Sequence, residues 1–157
     1  MKPFDKEDDV RRVVARTALA QNIGVFWVEN KAGGTAGFPD VVLIRGRETV
    51  FVELKVGERK GDKVVFEARN AQRIVLRKIR KAGGIGVVII GIVGSKTLFI
   101  GRGGELRALK ENSGVVQKQG IKLAIPHFYD FGELIEINNL ANWDLFRTLG
   151  FSEGGSG

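Results

Sequence analysis

The chain contains no cysteine and only one histidine, His127, among its 157 residues. Without thiols it can form no disulfide and no thiolate-ligated zinc site. A single imidazole argues against histidine-ligated metals and against a Ser-His-Asp triad. No apolar run reaches the ~18 residues that span a bilayer. The N-terminal Met1-Lys2-Pro3-Phe4-Asp5-Lys6 does not open into the apolar stretch of a secretion signal. The expected compartment is therefore the cytoplasm.

The size suits one domain, with a hydrophobic content of 43% and a charged content of 27%. The net charge is +7 and the pI about 9.9. Such a balance favours polyanionic partners, although a merely soluble basic protein would look the same. Position must decide between the two.

Along the chain, residues 5–22 read as a helix. Asp5 is the candidate N-cap, and Glu7, Asp8 and Asp9 suit the positive end of the dipole. Val10, Val13, Val14 and Thr17 form the inward stripe, with Arg11, Arg12 and Arg16 towards water. Gly24 is expected to close the segment. Residues 25–28 read as a strand, 31–37 as a loop, and 40–45 and 49–55 as two strands around Gly46-Arg47. Residues 57–63 read as a charged loop. A helix is expected over 70–82 and a buried strand over 85–93. Residues 97–100 and 121–125 look like strands, with Pro126 stopping the second. Asp130-Phe131-Gly132-Glu133 resembles a capping box that would lead a helix towards Leu149, with Asn138-Asn139 as a break. Residues 152–157 look like a flexible tail. The division expected is one domain over 1–151, with its core at 5–93 and C-terminal additions at 94–151.

The chemistry lies in the hairpin. In Thr49-Val50-Phe51-Val52-Glu53-Leu54-Lys55, side chains alternate between faces. Glu53 and Lys55 share one face, while Val50, Val52 and Leu54 share the core face. A type II′ turn at Gly46-Arg47 then pairs Ile44 with Thr49, Val42 with Phe51, and Asp40 with Glu53. Two carboxylates come out opposite each other, with Cβ atoms about 5 Å apart. Apolar neighbours partly desolvate them, so a compensating cation is expected. Oxygen ligands suit Mg²⁺ or Mn²⁺. Lys55 adds a positive charge in the same space. The inventory matches phosphodiester hydrolysis, in which a metal acidifies water and a lysine orients it or stabilises developing charge. The bland alternative is a hairpin with a surface salt bridge.

Gly37-Phe38-Pro39-Asp40 followed by Phe51-Val52-Glu53-Leu54-Lys55 resembles the PD-(D/E)XK motif of restriction-endonuclease-like nucleases. The likeness is strongest to the VRR-NUC group, through Glu7-x-x-Val10, the Gly-x-Pro-Asp turn, the Glu-Leu-Lys strand and Asn70-Ala71-Gln72-Arg73. Archaeal Holliday-junction resolvases come second. The resemblance covers about residues 5–93. It implies an α/β fold with a mixed central sheet in α-β-β-β-α-β order. It implies metal binding by Asp40, Glu53 and the Leu54 carbonyl, with Lys55 assisting the nucleophilic water and Glu7 as a helical acid facing the metal. It also implies 5′-phosphate products. Glu7 can equally be read as a first-turn dipole partner, and Gln72 either as a polar group approaching the site or as a solvated helix residue.

Arg69, Arg73, Arg77 and Arg80 recur at helical spacing, beside Lys78 and Lys81, with Ile74, Val75 and Ile79 as the buried side. With Lys31 they form a candidate nucleic-acid surface, although a solvated face would look alike. Gly94-Ser95-Lys96-Thr97 is not a phosphate-binding loop, because a strand follows where a helix is required. Metal-free RNA cleavage through His127 and Tyr129 is a weaker reading, and Trp27 and Trp143 are read as core or interface residues. The leading expectation is a Mg²⁺- or Mn²⁺-dependent endodeoxyribonuclease acting on branched or structured DNA in repair or recombination. Paired incision would require a homodimer. The alternatives are a DNA-binding module without catalysis and a sequence-specific restriction-type enzyme.

Overall fold

The computed structural model describes residues 2–29, 36–60, 63–67, 69–104, 115–118, 121–124 and 132–151. In chain order these form α1 (Glu7–Ala20), β1 (Gly24–Trp27), β2 (Val41–Arg45), β3 (Glu48–Lys60), β4 (Lys63–Val65), α2 (Asn70–Lys81) and β5 (Ile85–Ile92). There follow β6 (Leu98–Arg102), β7 (Val115–Lys118), β8 (Ile121–Ala124), β9 (Glu133–Ile137), a 3-10 turn (Leu140–Asn142) and α3 (Leu145–Thr148). The expected α-β-β-β-α-β order is present, with the short β4 inserted before α2. Among the described residues no helix is long and apolar enough to cross a membrane. The expected loop at Lys31, the His127–Tyr129 segment, the Asp130-Phe131 start of the capping box and the 152–157 tail lie outside the described residues.

Helix α1 buries Val10, Val13, Val14 and Ala18, a helical stripe, and leaves Thr17 half-exposed. Its N-cap is Lys6 rather than Asp5. Asp9, in the first turn, reaches back and accepts the amides of Asp5 at 2.9 Å and Lys6 at 3.1 Å. Its carboxylate therefore supplies the cap that Asp5 was expected to give. Gly24 does not close the helix. Asn22 takes the left-handed turn with φ 57°, which asparagine tolerates, and Gly24 opens β1.

Strands β1, β2 and β3 form an antiparallel meander. Ile44 pairs with Thr49 and Val42 with Phe51, the register expected from the turn. Gly46 has φ 61°, as the first central residue of a type II′ turn requires. Strand β3 then passes parallel to β5 over Val50–Gly57 and antiparallel to β4 over Glu58–Lys60. The expected charged loop at 57–63 is thus corrected for residues 57–60 and for Lys63, which opens β4, while 61–62 lie outside the described residues. The charges of 57–60 suggested a loop, but pairing with β5 and β4, supplied from later in the chain, holds them extended. The central sheet runs β1-β2-β3-β5-β6-β9, and β3 also leads a branch through β4 and β8 to β7.

The two long helices cover opposite faces of β5. A Cβ on Gly86 would lie 2.6 Å from Leu76 of α2, and one on Gly91 would lie 2.6 Å from Val10 of α1. Val50, Val52, Leu54, Val87 and Ile89 fill the core with the valines of α1. By strand alternation, Glu53 and Lys55 lie on the α2 side.

The helix expected to lead from Glu133 towards Leu149 is absent before the Asn138-Asn139 break, where a strand stands instead. Residues 133–137 pair with β6 from Arg102↔Glu133 to Leu98↔Ile137, and the 3-10 turn and α3 follow Asn138-Asn139. The exposed edge of β6 needed a ladder partner, and that requirement overrides the local capping signal.

Candidate active site

The last rung between β2 and β3 is Val41↔Val52. One step further the register would set Asp40 opposite Glu53, but there the two strands part. The Leu54 amide is left without a β2 partner and donates to Asp40 Oδ2 at 2.8 Å. The Asp40 carbonyl accepts the Val28 amide at 2.9 Å. Asp40 is therefore held from both neighbouring strands, in the opening where the ladder ends.

The turn before Asp40 also rests on α2. Gly37 has φ 81°, and a Cβ there would lie 2.4 Å from the Ala71 carbonyl carbon and 2.7 Å from the Gln72 amide nitrogen. Only glycine fits this conformation and this approach. The contact fixes the first turn of α2 against the Asp40 turn, and so sets the place of Gln72.

Glu53 is only 3% exposed. Gln72, also buried, donates from Nε2 to Glu53 Oε1 at 2.8 Å. Its Oε1 accepts from Lys55 Nζ at 2.8 Å and from the Arg69 amide at 3.0 Å. One amide side chain thus bridges the lysine and the carboxylate. Burial pushes the Glu53 pKa up to about 9, and hydrogen bonding to Asp40 and repulsion from it push the same way, while Lys55 opposes them. Half-buried Glu7 is raised as well, first by burial and then by the charge of Asp40. The structure therefore brings Glu7, Asp40, Glu53, Lys55 and Gln72 within electrostatic or hydrogen-bonding reach. A cleft of about 530 Å³ opens beside Glu7 and Lys55, with Glu58, Phe66 and Glu67 also on its walls.

Arg11, expected to face water, is partly exposed but also leans towards the carboxylates. Its Nη2 lies 3.8 Å from Asp40 Oδ1 and its Nε 4.0 Å from Glu7 Oε1. Its guanidinium carbon sits 5.0 Å from the ring centre of Trp27. Trp27, expected in the core or an interface, is 39% exposed, whereas Trp143 is buried. The sequence carried one signal for Arg11, its i,i+4 spacing from Glu7.

The arginine stripe on α2 is divided. Arg69 is exposed and Arg77 half-buried, but Arg73 is 8% exposed and donates through Nε and Nη2 to Asn70 Oδ1. Arg80 donates to the carbonyls of Gly103 and Gly104. Ile74, expected in the core, is 38% exposed, and Leu76 takes its place. The helix is turned so that Gln72, Arg73, Val75 and Leu76 point inward, which the Gln72–Glu53 bond requires.

Among the described residues no three His, Cys, Asp or Glu side chains are grouped to hold a metal ion. The donors in contact are the carboxylates of Asp40 and Glu53, the latter buried, with burial and the charge of Asp40 both disfavouring its ionisation until a cation offsets them. Mg²⁺ is commonly bound through one or two carboxylates and retains water, so this oxygen set fits such an ion.

No protein-family model and no curated protein matches this chain. Among solved structures it is similar to Hjc, a Holliday junction resolvase from the archaeal hyperthermophile Archaeoglobus fulgidus. The identity is 12% and the TM-score 0.45, over 76% of this chain and 85% of that one. At that distance the likeness assigns no activity here.

Proposed function

We infer that the protein is a divalent-metal-dependent nuclease that hydrolyses phosphodiester bonds in DNA. The observation that carries this reading is the convergence of Asp40, Glu53 and Lys55, with Gln72 bridging the last two, where β2 and β3 part. Asp40, Glu53 and the Leu54 carbonyl would hold Mg²⁺ or Mn²⁺. Such an ion supplies charge neutralisation at the phosphate and a more acidic water.

The remaining roles belong to the chain. Lys55 keeps a positive charge beside Glu53 through Gln72, where it orients the attacking water and stabilises charge developing on the phosphate. Gln72 holds Glu53 in one rotamer. Glu7 adds a third carboxylate, which raises the charge that a cation would relieve. Arg69 and Arg77, on the outer side of α2, contact the DNA backbone. A preference for branched or structured DNA, and a homodimer that makes paired incisions, follow from the resemblance to VRR-NUC and Holliday-junction nucleases.

The test is cleavage of labelled junction, flap, duplex and single-stranded DNA in Mg²⁺ and in EDTA. Cleavage should require metal and favour the branched substrates. Lys55→Ala and Glu53→Gln should lose cleavage by several orders of magnitude and still bind DNA. Full activity in EDTA would reject the metal mechanism, and undiminished activity in both variants would reject the site. DNA binding without cleavage of any substrate would leave a binding module.

A further inference from the structure

The guanidinium of Arg11 stands between two carboxylates without a tight bond to either. The separations of 3.8 Å to Asp40 and 4.0 Å to Glu7 exceed the ~2.7–2.9 Å of a charge-assisted hydrogen bond. Its one face lies over the Trp27 ring. That ring belongs to the β1–β2 ladder through Trp27↔Val41, the rung beside Asp40. The Arg11 side chain remains about one-third exposed, at 36%. The arrangement is a cation on a fixed aromatic seat, open to solvent, at the rim of the candidate site.

A positive charge this close to Asp40 opposes any cation that Asp40 would bind. A residue that only supported the fold need not carry that charge. A planar guanidinium has a use that offsets the cost, because its donors match phosphate oxygens. Stacking on Trp27 leaves its edge free to turn while its face stays held.

We propose that Arg11 is a phosphate-binding residue of this site, resting on Glu7 and Asp40 when no cation is present and turning to the DNA backbone when a divalent cation takes the charge of Asp40. Trp27 is its seat in both arrangements. This proposal rests on the nuclease reading. It makes Arg11 a competitor of the metal and a ligand of the substrate, so removing it should move the two affinities in opposite directions.

The experiment compares wild type, Arg11→Ala, Arg11→Lys and Trp27→Leu. Mn²⁺ binding is measured without DNA, by the electron-spin signal of the free ion. Junction-DNA binding is measured in Ca²⁺ across a salt series. Melts in EDTA identify which variants are folded, and should Arg11→Ala not be, Trp27→Leu is read in its place by the same criteria. Arg11→Ala should bind Mn²⁺ roughly three- to tenfold more tightly. It should bind DNA more weakly, with a slope of log affinity on log salt flatter by about 0.9. Arg11→Lys should restore the Mn²⁺ affinity of wild type and only part of the DNA affinity. Trp27→Leu should shift both readouts as Arg11→Ala does, by less. Unchanged or weaker Mn²⁺ binding in Arg11→Ala, or unchanged DNA affinity and slope, overturns the proposal. If wild type meanwhile binds Mn²⁺ and cleaves DNA, the nuclease reading survives that failure. A wild type that binds no Mn²⁺ overturns both.

Discussion

Gln72 donates to Glu53 Oε1 at 2.8 Å while accepting from Lys55 Nζ at the same distance. Two residues of one strand face, placed side by side by alternation, are thereby joined through a residue of the next helix. Replacing Gln72 with leucine keeps the volume and removes both bonds. Supporting residues of this kind typically change activity or metal affinity roughly 10–100-fold. Single-turnover cleavage by Gln72→Leu should fall by that factor, with DNA affinity within a few-fold of wild type. Wild-type rates would show that the bridge has no part in the chemistry.

The raised pKa of Glu53 makes the metal-free protein sensitive to alkali. The folded state holds the proton to about pH 9, whereas the ordinary value is 4.5. Between those values the folded state binds more protons than the unfolded one, so stability falls as pH rises. The stabilising contribution is complete below about pH 4.5 and gone above about pH 9. Melts in EDTA should therefore decline across that window. Glu53→Gln carries no such proton, so its melting temperature should exceed that of wild type by a margin that widens towards pH 9. Parallel melting curves for the two proteins would contradict the burial argument. Mg²⁺ should reverse the decline in wild type, because a cation bound to the folded state favours the ionised carboxylate.

Gly37 is tested by a single methyl group. Gly37→Ala would place a Cβ 2.4 Å from the Ala71 carbonyl carbon, on a backbone with φ 81°. The Asp40 turn and α2 must then separate. The cost should be about 1–3 kcal/mol for the backbone conformation alone. Chemical denaturation should show this loss, and cleavage should fall further than Tm alone explains, since Asp40 and Gln72 are displaced together. A variant as stable and active as wild type would mean that the turn is free to move off the helix.

The divided arginine stripe predicts divided phenotypes. Arg69→Ala with Arg77→Ala should leave the fold intact and flatten the salt dependence of DNA binding by up to about 0.9 for each phosphate no longer neutralised. Arg73→Ala should instead lower Tm, by about 1–3 kcal/mol of stability, because it removes a mostly buried side chain and its bonds to Asn70. Its salt slope should match wild type. The reverse pattern would place Arg73 on the DNA and return Arg69 and Arg77 to a solvated face.

The sequence by itself determined the hairpin, its register as far as Val41↔Val52, and the shared face of Glu53 and Lys55. Gly46 sets a two-residue turn, the turn sets the register, and alternation puts Glu53 and Lys55 on one face. All of these are local constraints, so short-range pattern was sufficient. Tertiary structure decided what meets that face. The azimuth of α2 depends on Leu76 seating over Gly86 of a later strand, and this turned Gln72 and Arg73 inward and Ile74 outward. The place of Arg11 depends on β1 bringing Trp27 beneath it. The extension of β3 and the strand at 133–137 depend on partners contributed by β4, β5 and β6. Helical spacing alone leaves a helix free to rotate, and an isolated strand leaves its edge unsatisfied. Packing against distant segments removed both freedoms.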